Sequence, residues 1–145
     1  MKRVTKFTLI GAVALLISCS GTRPEGVNRS GELLACPETP NCVSSFATDE
    51  QHQIAPLSYS GDSGVALETL VAIIGSLERT EVVTQGENYI YAEFTSKMWK
   101  FVDDVEFVVD GEKSVINVRS ASRLGKSDMG VNRARIEEIR SLFEK

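Results

Sequence analysis

Two short turns constrain the fold of this chain more than any other feature. Each joins two segments in which apolar and polar residues alternate: Gly86-Glu87-Asn88 lies between residues 81–85 and 89–95, and Gly111-Glu112-Lys113 lies between residues 102–110 and 114–121. Such alternation is typical of strands with one buried face, and turns this short join neighbouring antiparallel strands. The sequence therefore predicts a four-stranded antiparallel sheet built from two hairpins.

Helical patterns stand on either side of the two hairpins. Between residues 64 and 77 apolar residues recur at helical spacing, and Asp62 or Ser63 can cap the start. A second helical pattern covers residues 130–143, with Asp128 as the expected N-cap. The order helix, four strands, helix predicts an α+β domain in which both helices pack on one face of the sheet.

The beginning of the chain has the features of a bacterial export signal. A basic start is followed by an apolar run, residues 7–17, that is too short to span a bilayer as a permanent helix. The end of this run, Leu16-Ile17-Ser18-Cys19, resembles the bacterial lipobox, in which the cysteine is lipidated and becomes the first residue of the mature chain. The resemblance implies a lipoprotein signal peptide over residues 1–18 and a lipid on Cys19. The alternatives are an ordinary signal peptide with a chance cysteine, or an uncleaved anchor.

The residues after Cys19 bear on which membrane would hold the lipidated protein. Ser20 is not the aspartate that resembles an inner-membrane retention signal, so in a Gram-negative cell we expect the outer membrane, with the domain facing the periplasm. Glycines and a proline in residues 19–31 predict a flexible tether, and residues 32–145 suit a single domain with one core.

The charge of the chain bears on its partners. Removal of residues 1–18 takes away three basic residues and no acidic ones, so the net charge falls from −4 to −7. An acidic module of this kind argues against nucleic acid or anionic lipid as its main partner.

Cys36 and Cys42 are left as a pair once Cys19 carries lipid. In an exported chain, two cysteines this close in the sequence favour a disulfide. A zinc site would need more ligands, and the sequence has no second cysteine pair and no histidine cluster. A redox pair would more usually read C-x-x-C at the start of a helix. We therefore predict a structural disulfide, with no metal site and no cofactor.

Three polar segments together resemble one known family. They are CPETPNCVSS (residues 36–45), FVDDVEF (101–107) and VRSASRLGKSDMGVNRARIEEIR (118–140). In this order they are similar to the bacterial and plastid family catalogued as domain of unknown function 1499, and the resemblance covers residues 34–142. That family has no established activity, so the resemblance implies a single domain and no particular reaction.

Acidic residues form one candidate site on the third predicted strand. Alternation places Asp104 and Glu106 side by side on one face, and Asp103 precedes them in the sequence. Carboxylates so placed could bind a cation or act as acid and base. The alternative is that they form ion pairs, since Arg119 and Arg123 can approach them across the second hairpin.

The polar run from the last strand into the last helix forms a second candidate site. We predict an anion- or partner-binding site from the following residues: Arg119, Ser120, Ser122, Arg123, Asp128, Asn132 and Arg133. The amides of a helix start attract anions, and arginines bind carboxylates and phosphates. The alternative for the same residues is an internal clasp that joins the second hairpin to the last helix.

No catalytic residue is assigned. Ser44 or Ser45 with His52 and an aspartate would supply the residue types of a hydrolase, but no G-x-S-x-G motif accompanies them. Met98 and Trp99 could form an apolar platform for a ligand or belong to a satellite core.

These patterns favour a lipid-anchored, non-enzymatic module of the cell envelope. Its partner would be an envelope protein or a small anionic ligand, besides the membrane that holds the N-terminal lipid. The alternative is a periplasmic enzyme of unknown class that uses Asp103, Asp104, Arg119 and Arg123.

Overall fold

The computed structural model describes residues 21–24, 26 and 31–145. The predicted signal peptide 1–18, the predicted lipidation site Cys19 and part of the predicted tether lie outside the described residues. The elements in chain order are β1 (Cys42–Ser44), β2 (Leu57–Ser58), α1 (Ser63–Ser76), β3 (Thr80–Gln85), β4 (Tyr89–Thr95), β5 (Val102–Asp110), β6 (Val115–Ser122) and α2 (Val131–Phe143).

The sheet has six strands rather than the four predicted. Both predicted hairpins are present and give the order β3-β4-β5-β6. Two further strands pair antiparallel with the other edge of β6: Cys42 of β1 lies opposite Ala121, and Leu57 of β2 lies opposite Ile116. The two strands are three and two residues long, so no alternation marks them in the sequence. They are defined by the partner strand and not by a pattern of their own.

Both helices lie on one face of the sheet. Leu70 and Ile74 of α1 and Ile136 and Ile139 of α2 share one buried core with alternate residues of the central strands: Ile90, Ala92, Phe94, Val105, Phe107, Ile116 and Val118. Because side chains alternate along a strand, the residues between these lie on the opposite face. We call that second face, on which neither α1 nor α2 packs, the open face.

The two helices begin differently. Asp62 caps α1 as predicted, since its side chain accepts a hydrogen bond from the Val65 amide at 3.0 Å. The N-cap of α2 is Gly130 and not the predicted Asp128. Gly130 has a φ of 82°, a left-handed conformation that costs glycine little because it has no Cβ. Asp128 therefore lies outside the helix, two residues before the observed N-cap.

The predicted disulfide is present, and Cys36 and Cys42 are bonded with their Cα atoms 5.6 Å apart. The bond ties the segment before β1 to the sheet. Within the described residues, no group of three or more His, Cys, Asp and Glu side chains is placed to hold a metal ion. None of the helices in that part of the chain is long and apolar enough to cross a membrane.

Candidate functional site

Two polar clusters lie on opposite faces of the sheet. The open-face cluster consists of Tyr89, Tyr91, Glu93, Asp104, Glu106, Arg119 and Arg123. The helix-face network consists of Asn41, Asp103, Ser120, Ser122, Asp128, Asn132 and Arg135. Strand alternation along β5 separates the predicted acidic cluster, because Asp104 and Glu106 belong to the first set and Asp103 to the second.

Arg123 is the centre of the open-face cluster. Its Nε lies 2.9 Å from both carboxylate oxygens of Asp104, and its Nη2 donates to Asp104 at 2.7 Å and to Glu93 at 2.5 Å. The same Nη2 donates to the Tyr91 hydroxyl at 2.6 Å. Hydrogen bonding to Asp104 is the main reason that the pKa of Arg123 is raised above its ordinary value. Arg23, from the segment before the domain, adds a second guanidinium 2.6 Å from Glu93.

Burial and hydrogen bonding act in opposite directions on the acids of this cluster. Burial tends to raise the pKa of Glu93, but hydrogen bonds from Arg123, Tyr91 and Arg23 outweigh it and lower that pKa. Glu106 is fully buried, and burial raises its pKa even though the Tyr89 hydroxyl donates to it at 2.8 Å. Glu93 is thus held as a carboxylate more firmly than Glu106.

The two tyrosines act as donors to these acids. The Tyr89 hydroxyl contacts Glu106, and the Tyr91 hydroxyl lies 2.7 Å from Asp104 and 2.8 Å from Glu93. Burial, followed by these hydrogen bonds, raises the pKa of both phenols well above the ordinary value. Both hydroxyls therefore stay protonated at neutral pH and stabilise the carboxylates beside them.

Arg119 is less completely paired than Arg123. Its side chain is buried, and its Nη1 donates to Glu106 at 3.3 Å, but its buried Nε has no hydrogen-bond acceptor among the described residues. With Asp104 and Arg123 it lines a cavity of about 280 Å³, which residues 22–24 and Leu34 also line. Buried polar atoms without a partner are rare in native proteins. Within this cluster, the Nε of Arg119 is therefore the donor that could form a hydrogen bond with a ligand.

Asn132 is the centre of the helix-face network and is fully buried. Its Oδ1 accepts from the Ser120 hydroxyl at 2.5 Å and from Arg135 at 2.7 Å. Its Nδ2 lies 3.1 Å from the carbonyl oxygen of Asn41, 3.1 Å from the Ser122 hydroxyl and 2.8 Å from Asp128. One side chain thus joins α2 to β6 and to the segment before β1.

Arg135 extends this network to β5. Its Nη2 donates to Asp103 at 2.5 Å, and its guanidinium carbon lies 4.7 Å from the ring centroid of Phe94. The ion pair and the cation–π contact hold α2 against the end of β4 and the start of β5.

The amides at the start of α2 are occupied by the protein itself. The Asp128 carboxylate accepts from the amides of Gly130 at 3.0 Å and Asn132 at 2.8 Å. Burial tends to raise the pKa of Asp128, but these hydrogen bonds outweigh it and lower that pKa. Arg133 donates to the carbonyl oxygens of Gln53 and Gln51 at 2.8 and 3.1 Å. The residues of the predicted anion site are therefore divided among three places: Arg119 and Arg123 on the open face, Ser120, Ser122, Asp128 and Asn132 in the helix-face network, and Arg133 beside residues 51–53.

Ser44, Asp49 and His52 line one cavity of about 410 Å³ beside the disulfide. His52 Nδ1 lies 2.8 Å from the Asp49 carboxylate, and its Nε2 lies 2.9 Å from Gln51 Nε2 and 3.2 Å from the carbonyl oxygen of Thr39. Ser44 Oγ instead accepts from the Phe46 amide at 3.2 Å. A Ser–His–acid catalytic centre needs the serine hydroxyl bonded to the histidine, and these bonds direct His52 elsewhere.

Five members of the two clusters lay outside the predicted site: Tyr89, Tyr91, Glu93, Asn41 and Arg135. Arg23, which contacts the open-face cluster at Glu93, lay outside it too. Arg23 and Asn41 lie in irregular segments without periodicity, although Asn41 belongs to the CPETPNCVSS segment. Arg135 follows Asn132 by three residues, a spacing that places two side chains on one side of a helix. That spacing is the signal that could have added Arg135.

The fold and these clusters define a class of protein: an α+β domain whose polar motifs are paired with one another on both faces of an antiparallel sheet. The chain belongs to the family described as Protein of unknown function (DUF1499), whose model matches residues 32–143. The family match confirms the resemblance of the three polar segments and identifies no enzymatic activity. A comparison with curated proteins gives no match.

Proposed function

We propose that this protein is a lipid-anchored binding or interaction module of the cell envelope, and that its polar motifs are internal clasps. The observation that carries the clasp is the bonding of Arg123, whose guanidinium contacts Asp104, Glu93 and Tyr91 together. A buried charge bonded on this scale can accept a ligand only by breaking those bonds. The polar motifs therefore stabilise the fold, and the proposed partner would bind to other residues on the surface of the domain.

The proposed location rests on the sequence. A basic start, a short apolar run and the lipobox-like residues 16–19 support a lipid on Cys19 and attachment to the envelope. In a Gram-negative cell the module would be held at the outer membrane and face the periplasm.

Arg123→Ala tests the clasp. Removing one partner of a buried ion pair leaves the other uncompensated, at a cost on the order of 3–5 kcal/mol, so the melting temperature should fall equally with and without phosphate. Lys113→Ala is the control, because it removes an exposed ion pair with Asp110 and should change little. If Arg123→Ala left the melting temperature unchanged but abolished a rise caused by phosphate, the residue would be a binding residue and not a clasp.

Metabolic labelling tests the anchor. Cells that express the full chain should incorporate a palmitate analogue into the wild type and not into Cys19→Ala, and only the wild type should need detergent to leave the membrane fraction. Unlabelled wild-type protein in a detergent-free soluble fraction would contradict the proposed anchor.

A small anionic ligand at Arg119 is a second candidate function. It is favoured by the buried Nε without an acceptor beside a cavity of about 280 Å³. Phosphate, sulfate or acetate should then raise the melting temperature of the wild type, and Arg119→Lys, which keeps the charge but removes the Nε donor, should lose that rise. Absence of a rise in the wild type would end this candidate. The enzyme alternative gains no support, because Asp103 lies on the other face from Asp104, Arg119 and Arg123.

A further inference from the structure

One end of the molecule carries most of the exposed large apolar side chains. Eight such side chains occur in the described residues, and six of them form what we call the apolar end: Met98, Trp99, Phe101, Leu124, Met129 and Val131. Met129 is 97% exposed, Met98 77% and Trp99 72%. Met98 and Trp99 therefore do not belong to a satellite core, which was one of the two alternatives that the sequence offered.

Backbone pairing brings these six residues to the same end of the sheet. The loop of residues 96–101 follows β4 and precedes β5. At its base the Ser96 amide donates a hydrogen bond to the carbonyl oxygen of Phe101 at 2.8 Å. The loop of residues 123–130 follows β6, and the Arg123 amide donates to the carbonyl oxygen of Val102 at 3.1 Å. Val131 begins α2 directly after the second loop. The two loops are therefore neighbours.

The exposed charges of the two loops are all positive. They belong to Lys97, Lys100 and Lys126, whereas Asp128 is partly buried and bonded to the start of α2. The chain as a whole is acidic, with a formal charge of −4, so these two loops differ in sign from the chain as a whole. Tryptophan and aliphatic side chains flanked by lysines are the composition of surfaces that lie at the boundary of headgroups and acyl chains.

The chain enters the described structure at this same end. Gly21 lies so close to Arg123 that a Cβ built on Gly21 would be 2.9 Å from the Arg123 Cβ. Residues 21–24 and 26 then lie along the open face, since Arg23 contacts Glu93 and Gly26 lies beside the Tyr89 ring. Cys19 is two residues before Gly21, and two residues of chain span at most about 7 Å. Acyl chains on Cys19 would therefore enter the bilayer next to the apolar end.

We propose that the apolar end docks on the surface of the bilayer that holds the anchor. Trp99 and its apolar neighbours enter the boundary between headgroups and acyl chains, and the three lysines contact lipid phosphates. This inference rests on the proposed lipid on Cys19 and adds an orientation to it. The docked molecule points the two hairpin turns away from the membrane, because these turns lie at the other end of the sheet. A face-to-face contact of two copies is disfavoured, since it would bring like-charged lysines together.

Trp99 provides the measurement because it is the only tryptophan in the chain. The lipidated full chain is reconstituted into vesicles of phosphatidylethanolamine and phosphatidylglycerol, with and without bromine on the acyl chains. Docking predicts that Trp99 emission shifts to shorter wavelength, loses intensity with brominated lipid and becomes less sensitive to aqueous iodide. Without docking, an exposed tryptophan would keep its emission in brominated vesicles and remain sensitive to iodide.

A matched pair of variants separates the apolar end from the rest of the surface. Met98→Ser with Met129→Ser should restore most of the Trp99 emission in brominated vesicles. Val65→Ser should not, because Val65 is 62% exposed at the start of α1, away from this end. In the Cys19→Ala background, the double methionine variant should bind vesicles at least roughly tenfold more weakly than its parent, as expected for the lost burial of two side chains.

The possible outcomes distinguish this inference from the proposed anchor. Protein that sediments with the vesicles while Trp99 remains open to iodide and unaffected by bromine would keep the anchor and overturn the docking. Trp99 that is protected from iodide but unaffected by bromine would mean that a second copy or another protein covers this end, which also overturns it. A chain without lipid on Cys19 would contradict the proposed anchor, and the docking falls with it.

Discussion

Asn132 shows what a single residue contributes to this fold. Its buried amide contacts five polar atoms, which belong to Ser120, Arg135, Asn41, Ser122 and Asp128. Asn132→Ala would leave several of these groups buried without partners, and each unsatisfied group costs about 1–3 kcal/mol. We expect the free energy of unfolding in urea to fall by roughly 2–4 kcal/mol. The exposed Asn88→Ala should change it by less than about 0.5 kcal/mol, and similar losses in both variants would contradict the role of Asn132.

Asp128 should make part of the stability dependent on pH. Its folded pKa is lowered by the amides of Asn132 and Gly130, so its contribution is present above the unfolded value of about 3.9 and is lost as the pH falls through the lower folded value. Asp128→Asn removes the charge at every pH. The difference in unfolding free energy between wild type and variant should therefore be largest near pH 7 and shrink below about pH 4. A difference that stays constant down to pH 2 would contradict the prediction.

At the scale of structural elements, the disulfide between Cys36 and Cys42 should make a measurable contribution to the free energy of unfolding. The two cysteines are separated by six positions in the sequence. A disulfide that closes so short a loop stabilises by about 2 kcal/mol through the unfolded chain. Reduction of the wild type should lower its urea midpoint to that of Cys36→Ser with Cys42→Ser, and the reductant should not affect the double variant. An unchanged midpoint on reduction of the wild type would contradict this.

The same elements show which parts of the fold the sequence can predict. Alternation on either side of the two short turns correctly located β3 to β6, and it correctly placed Asp104 and Glu106 on one face of β5. β1 and β2 carry no such pattern, because their positions depend on hydrogen bonds to β6. The predicted N-cap of α2 was wrong because the observed cap depends on the left-handed backbone conformation of Gly130. Residue types alone do not determine that conformation.

For the candidate site, the sequence predicted which side chains contact one another better than it predicted what these residues do. Arg119 and Arg123 meet Glu106 and Asp104 across the second hairpin, as strand pairing predicted. The separation of Asp103 also follows from alternation, although the predicted acidic cluster grouped it with Asp104 and Glu106. Arg23 and Asn41 join through contacts between segments that lie 70 or more residues apart, and no local pattern can encode those.

At the scale of the whole molecule, both polar clusters hold the end of the sheet at which the chain enters. Arg123 fixes the end of β6 on the open face, and Asn132 fixes the same strand from the helix side through Ser120 and Ser122. The apolar end is built on the loops that leave these strands. The clasps therefore place Met98, Trp99 and Met129 on loops supported by both polar clusters, beside the predicted anchor. If the proposed docking holds, this arrangement would give the anchored protein a defined orientation.

Gly21→Ala tests this arrangement of the whole molecule. Gly21 has a φ of 71°, and an added Cβ would lie 2.9 Å from the Arg123 Cβ and 3.3 Å from its Cδ, so residues 21–24 should move off the open face. We expect faster hydrogen exchange in these residues and less quenching of Trp99 by brominated lipid, with a loss in stability below about 1 kcal/mol because the Arg23–Glu93 pair is partly exposed. Gly31→Ala is the matched control, since Gly31 has a similar φ of 81° but no atom within 4 Å of an added Cβ. If both variants exchanged and quenched alike, backbone strain alone would explain the change, and the contact between Gly21 and Arg123 would not set the orientation of the molecule.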